Sequence, residues 1–411
     1  MTQRIIIVGA GQSGARTAAA LRKSGTDDDI VLIGDESELP YERPPLSKDA
    51  LINGAQAKSA TIFPRDYYAG NRIDLRVDTR VVSIDSAARN VVLADAASLA
   101  YDHLVLATGA RARRLEVPGA DLDGVVTLRT AQDSARLAAR LTPGARVVVL
   151  GGGFLGLEVA ASAVQLKCAV TVVEAGPVLL GRILGGFMGD HLARLHRAHG
   201  VDIRTDARVK MIQGQGTAHA VELDDGTVLP ADTVVVSIGA TANDELARAA
   251  GVECNDGVLV DAHARSSVPG IYAVGDVARQ RERWALNAVR LESWENAELQ
   301  AQTVARTILG VPEATDLAPW FWTDQYDENI QILGGRAPED TLVMRGDMAE
   351  RSWCAFFVRD DSAGGARIHG ALLMNAGRER RIVKQLMDNR QLVDTALLAD
   401  PAHPLKNLPR T

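Results

Sequence analysis

Two short, unbroken aliphatic runs, each leading straight into glycines, stand out in the apolar pattern of the chain: IIIVGAGQSG at 5–14 and VVVLGGGFLG at 147–156. Continuous apolar runs of this length predict strands buried on both faces, as in a parallel sheet. Behind the first turn, ARTAAALRKSG is alanine-rich and stops at Gly25, the pattern of a helix closed by a C-terminal glycine. IVLIGDE (30–36) predicts the next strand, with Asp35 near its tip. The second copy, 145–176, repeats the order of strand, glycine turn, alanine-rich helix and strand, now with Glu174 at the tip. YDHLVLATGA (101–110) is echoed by TVVVSIGA (233–240), and HLARLHRAHGVDIRT (191–205) reads as helix then strand. The two glycine turns lie 142 residues apart, about one domain, so the pattern predicts a duplicated α/β unit.

Between and after the copies the texture changes. LPYERPPLSKDAL (39–51) is too proline-rich for a central strand or a helix interior. Strand-like runs follow at 81–85 and 91–93, and SSVPGIYAVGDVAR (266–279) predicts a strand ending at Gly275-Asp276. Residues 285–310 carry a long helical pattern. From PWFWTDQYDENIQILGG (319–335) onward, hairpin-like strands at 352–360 and 367–375 precede a basic helix over 378–391. These boundaries predict a discontinuous first domain (1–112 and 242–320), an inserted second (113–241) and a C-terminal α+β domain (321–411).

Composition narrows the function. A length of 411 residues suits two or three domains, and the net charge of −7 argues against a polyanion binder. The three cysteines, Cys168, Cys254 and Cys354, are far apart with no CxxC, which excludes a dithiol centre and favours a reducing compartment. The N-terminal apolar run is too short for an export signal and nothing approaches a membrane span. A cytoplasmic enzyme without a metal site is expected, and nothing in the pattern selects between monomer and dimer.

A glycine turn opening a helix after a buried strand suits a dinucleotide pyrophosphate, which binds the unpaired N–H groups and positive dipole of the helix start. Gly9 permits the tight turn, Gly11 and Gly153 the approach of phosphate, and Gly14 and Gly156 the packing of helix on strand. Asp35 and Glu174 would accept bonds from adenosine ribose hydroxyls, and a carboxylate at 174 disfavours a 2′-phosphate, hence NAD over NADP. Two such cradles in one chain imply a flavin that stays and a nicotinamide that visits.

The two fingerprints, ATGA, YAVGD, the YERPPLSK loop and PWFWTDQYD together resemble the flavin-dependent ferredoxin reductases. These comprise the putidaredoxin reductase and Rieske-oxygenase reductase group, with the glutathione-reductase-like fold. The resemblance spans essentially the whole chain, and the loop and the tryptophan stretch are its narrowest signals. It implies two Rossmann-like domains followed by a C-terminal domain, tightly bound FAD, NADH as reductant and a 2Fe-2S ferredoxin as acceptor. It implies Ser13 at the FAD pyrophosphate, Asp35 at the adenine ribose, Arg43 and Lys48 by the pyrophosphate and flavin ring, and a backbone contact to adenine at Val81. Ala107, Thr108, Gly109 and Arg129 fall along the flavin, Asp276 after Gly275 at its ribitol, and Trp294 at its pyrimidine edge. Gly151, Gly153, Leu155, Gly156, Glu158, Glu174 and Gly239 fall on the nicotinamide side. Glu158, two residues into the helix after the second turn, is expected to pair with Lys48 behind the flavin N5 region. SIGATAN departs from the family in lacking a proline after the glycine.

The resemblance implies hydride transfer from nicotinamide to flavin, with the protein supplying geometry and charge rather than a nucleophile. Because no cysteine lies where disulfide reductases carry theirs, electrons must leave one at a time to a ferredoxin serving a monooxygenase or dioxygenase. An NADH oxidase and an NADH-sensing flavoprotein like apoptosis-inducing factor are the alternatives. Ferredoxins are generally acidic, so Arg65, Arg72, Arg290, Arg306 and the Arg378/Arg380/Arg381/Lys384 helix are candidate docking charges.

Overall fold

The computed structural model describes residues 2–57, 60–181, 186–281, 288–314, 316–362 and 364–408. Both aliphatic runs are central parallel strands. In the first sheet β1 (Arg4–Val8) lies between β2 (Asp29–Ile33) and β4 (His103–Leu106), flanked by β3 (Ile73–Arg76) and an edge strand, Ile271–Ala273. In the second, β5 (Arg146–Leu150) lies between β6 (Ala169–Val173) and β8 (Thr233–Val236), flanked by β7 (Asp202–Arg204) and the edge pair Val125–Val126. Four strands follow the same order in both sheets, so the duplication seen in the pattern is a duplication of topology; the edge strands differ, since Ile271–Ala273 follows its sheet's other strands in the chain and Val125–Val126 precedes them. Ile5, Ile6 and Ile7 are fully buried, which a strand covered on both faces requires.

The glycine turns lead into α1 (Gln12–Lys23) and α2 (Phe154–Gln165). A Cβ on Gly9 would stand 2.1 Å from the Ala107 carbonyl oxygen, and one on Gly151 would stand 2.2 Å from that of Ser237. A Cβ on Gly14 or Gly156 would run into the carbonyl of its own first glycine, at 1.9 and 2.2 Å. The first and third glycines are therefore demanded by the packing of turn, helix and closing strand. The middle glycines are not, a difference that matters below.

The proline-rich loop is more ordered than its composition suggests. Pro44 and Pro45 open a single 3-10 turn (Pro44–Ser47), where their missing N–H groups leave nothing unsatisfied, and a short helix, Asp49–Asn53, follows. The long helical pattern expected over 285–310 is shorter in the fold, and its first residues lie outside those described. Ala288–Val289 is extended, and α4 (Trp294–Ile308) begins only where Ser293 Oγ accepts the Asn296 N–H at 3.2 Å. Ala240–Ala242 pairs antiparallel with Ala110–Ala112, opposing Thr241 to Arg111, so the stretch without the family proline is ordinary strand.

The C-terminal sheet is antiparallel, in the order β9 (Trp320–Gln325), β10 (Glu328–Gly334), β13 (Ala366–Met374), β12 (Trp353–Asp360) and β11 (Thr341–Arg345). Its alternation divides the apolar residues between two cores. Trp353, Ala355 and Phe357 join the core of the second sheet with Leu46 and Leu51 of the proline loop, whereas Cys354, Phe356 and Val358 pack toward α5 (Arg380–Asp388). The third domain is thus welded to the second copy and to the loop between β2 and β3. The fold class expected from the sequence, two Rossmann-like units and a C-terminal α+β domain, is the one observed.

Candidate active site at the junction of the two repeats

The two helices that follow the glycine turns start bare. Gly11 and Gly153 occupy the capping positions of α1 and α2, no side chain bonds to either helix start, and neither first turn contains an acid. By contrast, Ala131–Ala138 has a complete capping box from Thr130 and Asp133, and α4 is capped by Ser293. A Cβ on Gly153 would meet nothing within 4 Å, and one on Gly11 only the tip of Arg43 at 4.0 Å. Nothing in the protein requires glycine at these two positions. Uncapped donors facing space kept clear of side-chain carbon fit a dinucleotide pyrophosphate at each turn.

Around the first cradle, residues from four parts of the chain converge. Arg43 donates to Glu36 at 2.8 Å and to the Arg129 carbonyl at 2.5 Å. Arg129 in turn pairs with Asp276 at 2.6 Å and lies 3.7 Å from where a Gly109 Cβ would stand. Gly275, which precedes Asp276, approaches Ser13 so closely that a Cβ would sit 2.4 Å from the hydroxyl oxygen. Tyr41 donates its phenolic proton to Glu36, and burial, opposed by the charge of Arg43, holds that phenol well above its ordinary range. Ser13, Arg43, Gly109, Arg129 and Asp276 are therefore brought together beside the first turn, and Thr108 follows Ala107, the residue that packs on Gly9. Val81 is buried beside it, where Thr79 and Asp78 donate to the Gly34 and Glu36 carbonyls.

The acidic strand ends differ in a way the sequence hides. The ladders align Val8 with Ile33 and Leu150 with Val173, so Glu174 corresponds to Gly34, and Asp35 stands one residue further on. Gly34 is glycine because a Cβ there would lie 2.5 Å from the Ala10 Cβ. Glu174 is half-buried and accepts from the Gly152 and Gly176 N–H groups, each at 2.7 Å, at the rim of the second turn. Asp35 is exposed beside the first turn.

Lys48, from the loop of the first copy, and Glu158, from the helix of the second, meet at 2.8 Å, the pair the family resemblance implies. α2 begins at Phe154, so Glu158 lies in its second turn rather than at the helix start, and it is only 7 % exposed. Two more donors satisfy it: Ser47 Oγ at 2.5 Å and Thr323 Oγ1, from β9, at 2.7 Å. Lys48 also donates to the Pro44 carbonyl at 3.3 Å, and the Ser47 carbonyl accepts from Ser162 at 2.7 Å. This corner holds the only pairing of a cation from one copy with an acid of the opposite helix among the described residues near the turns. Ser47 and Thr323 escaped sequence reasoning. A signal for Thr323 existed, because Phe321, Thr323 and Gln325 share one face of a strand, and polar residues on a buried face must have partners. Trp294, the first residue of α4, lies edge-on to Trp322 at 6.3 Å, and Trp322 stacks on Trp320 at 5.0 Å.

None of the cysteines belongs to this corner. Cys168 follows α2 and donates to the Thr142 carbonyl, Cys254 donates to that of Val252, and Cys354 is in β12. Burial raises all three thiols, Cys354 to about 12, which disfavours the thiolate needed for disulfide exchange. Among the described residues no group of three or more His, Cys, Asp or Glu side chains is gathered for a metal, and no helix is long and apolar enough to cross a membrane.

A family model described as pyridine nucleotide-disulphide oxidoreductase matches residues 3–301, and one described as reductase C-terminal matches residues 320–409. The ferredoxin--NAD(+) reductase component of an anthranilate 1,2-dioxygenase system from Burkholderia cepacia is 42 % identical over 405 residues, 98 % of each chain. A ferredoxin--NAD(P)(+) reductase from Sphingomonas sp is 39 % identical, covering 98 % of this chain and 97 % of that one. Among solved structures, that of a covalent putidaredoxin reductase–putidaredoxin complex matches with a TM-score of 0.92 at 36 % identity, covering 98 % of this chain and 97 % of the other.

Proposed function

The chain belongs to the FAD-dependent ferredoxin–NAD(+) reductases within the pyridine nucleotide-disulphide oxidoreductases, and from that premise we propose that it passes electrons from NADH through FAD to a 2Fe-2S ferredoxin serving a monooxygenase or dioxygenase. The observation that carries the reading is the doubled, uncapped cradle whose two halves meet at the Lys48–Glu158 pair. Overall, NADH and two oxidised ferredoxins give NAD(+), one proton and two reduced ferredoxins.

FAD, when bound, accepts a hydride and releases electrons singly, which is what links a two-electron donor to a one-electron acceptor. The rest falls to the chain. In this reading residues 1–112 and 242–320 bind the flavin nucleotide, 113–241 bind NADH, and 321–411 complete the corner between them. The α1 N–H groups and Arg43 hold the flavin pyrophosphate, Asp35 its adenosine ribose, and Arg129 and Asp276 the chain leading to the ring. Gly153, Leu155 and Gly156 shape the nicotinamide-side turn, Gly239 keeps the opposite rim open, and Glu174 takes the ribose hydroxyls of NADH. Lys48 supplies positive charge where the two rings meet, and Glu158 orients it. The free, high-pKa thiols fit a reducing cytoplasm.

Purified enzyme with NADH should reduce cytochrome c rapidly only after a cognate ferredoxin is added. Rapid oxygen consumption by enzyme and NADH alone would replace this reading with an oxidase.

The docking charges expected from the sequence separate in the fold. Arg290 is buried among Asp256, Glu292 and the Asp276 carbonyl, so it holds the chain together and presents no charge to a partner. Arg72 pairs with Asp27, Arg306 with Glu313, and Lys384 with Glu295, while Arg380 lies over Trp320 at 4.1 Å. Arg378 and Arg381, on either side of Arg380 in the chain, are exposed. Charge reversal of both, R378E with R381E, is expected to lower kcat/KM for an acidic ferredoxin about 5- to 20-fold at low salt, with the deficit shrinking as salt screens it. NADH–ferricyanide turnover serves as the control for the flavin half-reaction.

A further inference from the structure

The Glu158 carboxylate is the end point of a buried chain of hydrogen bonds that leaves the corner and runs across the domain boundary. Thr323 Oγ1 donates to Glu158 and receives Gln325 Nε2 at 3.2 Å. The Gln325 carbonyl oxygen faces His196 Nε2 at 2.9 Å, and His196 Nδ1 faces the Tyr326 hydroxyl at 2.9 Å. Thr323, Gln325 and His196 are completely buried. The members alternate between the C-terminal sheet and the second copy: Thr323 and Gln325 on β9, Tyr326 in the turn after it, Glu158 on α2, and His196 on α3 (Gly186–Ala198).

Such a chain can be ordered in two senses, and the carboxylate selects one. A hydroxyl has a single proton, so if Thr323 gave it to Gln325, its lone pairs would be turned on the Glu158 oxygen. With Glu158 ionised, Thr323 must donate to it, the Gln325 amide must donate to Thr323, and the Gln325 oxygen is left to accept. His196 must then carry its proton on Nε2 and accept from Tyr326 on Nδ1. Every proton points toward the anion, and each bond polarises the next. Burial, only partly offset by the bond to Gln325, lowers His196 to about 4, so it is neutral at working pH. Tyr326 adopts a left-handed backbone, φ +59°, a conformation a bulky residue enters only where its surroundings hold it. Its ring also stacks on His199 at 3.7 Å, so the turn that holds the chain's outer end is anchored twice.

We infer that Thr323, Gln325 and His196 are positioning residues for the reductive half-reaction: their ordered donor chain fixes the Glu158 carboxylate, and through it sets where Lys48 Nζ stands. The inference rests on the reading of Lys48 and Glu158 as facing the flavin. It assigns the C-terminal domain and α3 a share in hydride transfer although neither contributes to a glycine cradle. Lys48 is the charged partner of Glu158. Asp49, on the short helix that also packs against α2, is turned to Asn53 at 2.6 Å. Tyr326 and His199 are the titratable neighbours of His196.

The test uses the full-length, FAD-loaded enzyme. Histidine 15N NMR should show His196 as the uncharged Nε2–H tautomer from pH 5 to 8; an Nδ1–H tautomer or a charged ring in that range overturns the chain. Rapid-mixing measurements of flavin reduction by NADH should show an acid limb that moves up by about one pH unit in Thr323→Val and in His196→Phe, because each removes stabilisation from the ionised carboxylate. Thr323→Ser and His196→Gln, which keep a donor at the same place, should restore it. A lower melting temperature with an unmoved limb would mean that the chain is only structural, and the inference fails. Glu158→Gln separates the two levels. If it slows reduction at least tenfold while the chain variants do not shift the limb, only the chain is wrong. If it reduces at the parent rate, the reading of the pair falls, and the inference falls with it.

Discussion

Replacing Gly11 with alanine should give a folded protein that has lost its colour. The added methyl meets no atom of the protein except the end of Arg43 at 4.0 Å, and φ at this position is an ordinary −83°. The substitution exchanges one helix-capping residue for a poorer one, which costs about 1 kcal/mol, or on the order of 1–2 °C in the melting temperature of the flavin-free form. Its effect on the pyrophosphate is of another order, since the methyl projects where phosphate must approach the α1 N–H groups. Flavin content after gentle purification is expected to fall at least tenfold, read from the visible spectrum against protein absorbance. Gly9→Ala provides the contrast. It forces a methyl to 2.1 Å from the Ala107 carbonyl at φ +111°, so it should destabilise the fold by roughly 3 kcal/mol or more and yield little soluble protein. A Gly11→Ala protein as yellow as the parent would show that the first turn is not the flavin cradle.

Cofactor preference should be decided at Glu174. Its oxygens are held by the Gly152 and Gly176 N–H groups at the rim of the second turn, so the carboxylate stands in a fixed place before any nucleotide arrives. Ribose hydroxyls can donate to it. A 2′-phosphate at the same place brings like charges together in a half-exposed site, a penalty of about 1.5–3 kcal/mol and hence roughly 10- to 100-fold in selectivity. Glu174→Gln keeps the shape and an oxygen acceptor but removes the charge. The ratio of kcat/KM for NADH over NADPH is expected to fall by that factor, mostly through KM for NADPH. An unchanged ratio would remove Glu174 from the specificity site. The same experiment at Asp35 should leave the ratio untouched and alter flavin retention instead, because that acid lies beside the other cradle.

Much of the machinery was legible because it is local. A phosphate cradle is made by one strand, one turn and one helix start, all within about a dozen residues, and its demands on residue type are steric. Hence both fingerprints, the closing ATGA strand and the GD turn could be read from the chain, and the fold put them where their residues implied. The register of the acidic strand ends was less legible. Asp35 and Glu174 look equivalent in sequence, yet the ladders set them one residue apart, because Gly34 must pass the Ala10 Cβ. Surface charge was the least legible of all. Arg290 is indistinguishable in sequence from a docking arginine, and only burial among acids and carbonyls shows that it braces the fold.

The sequence by itself determined the duplicated α/β plan, the two glycine turns that open helices and the wide spacing of its three cysteines, since each depends on short-range sterics or on residue types that are simply present or missing. The resemblance implied Lys48 beside Glu158, but only the tertiary structure decided what else surrounds that carboxylate. Ser47 and Thr323 and, behind them, Gln325 and His196 come from three segments remote from one another in the chain. They meet because alternate residues of an antiparallel sheet pack against the second copy and the proline loop. A buried carboxylate there is tolerable only when hydrogen-bond donors from all three segments surround it.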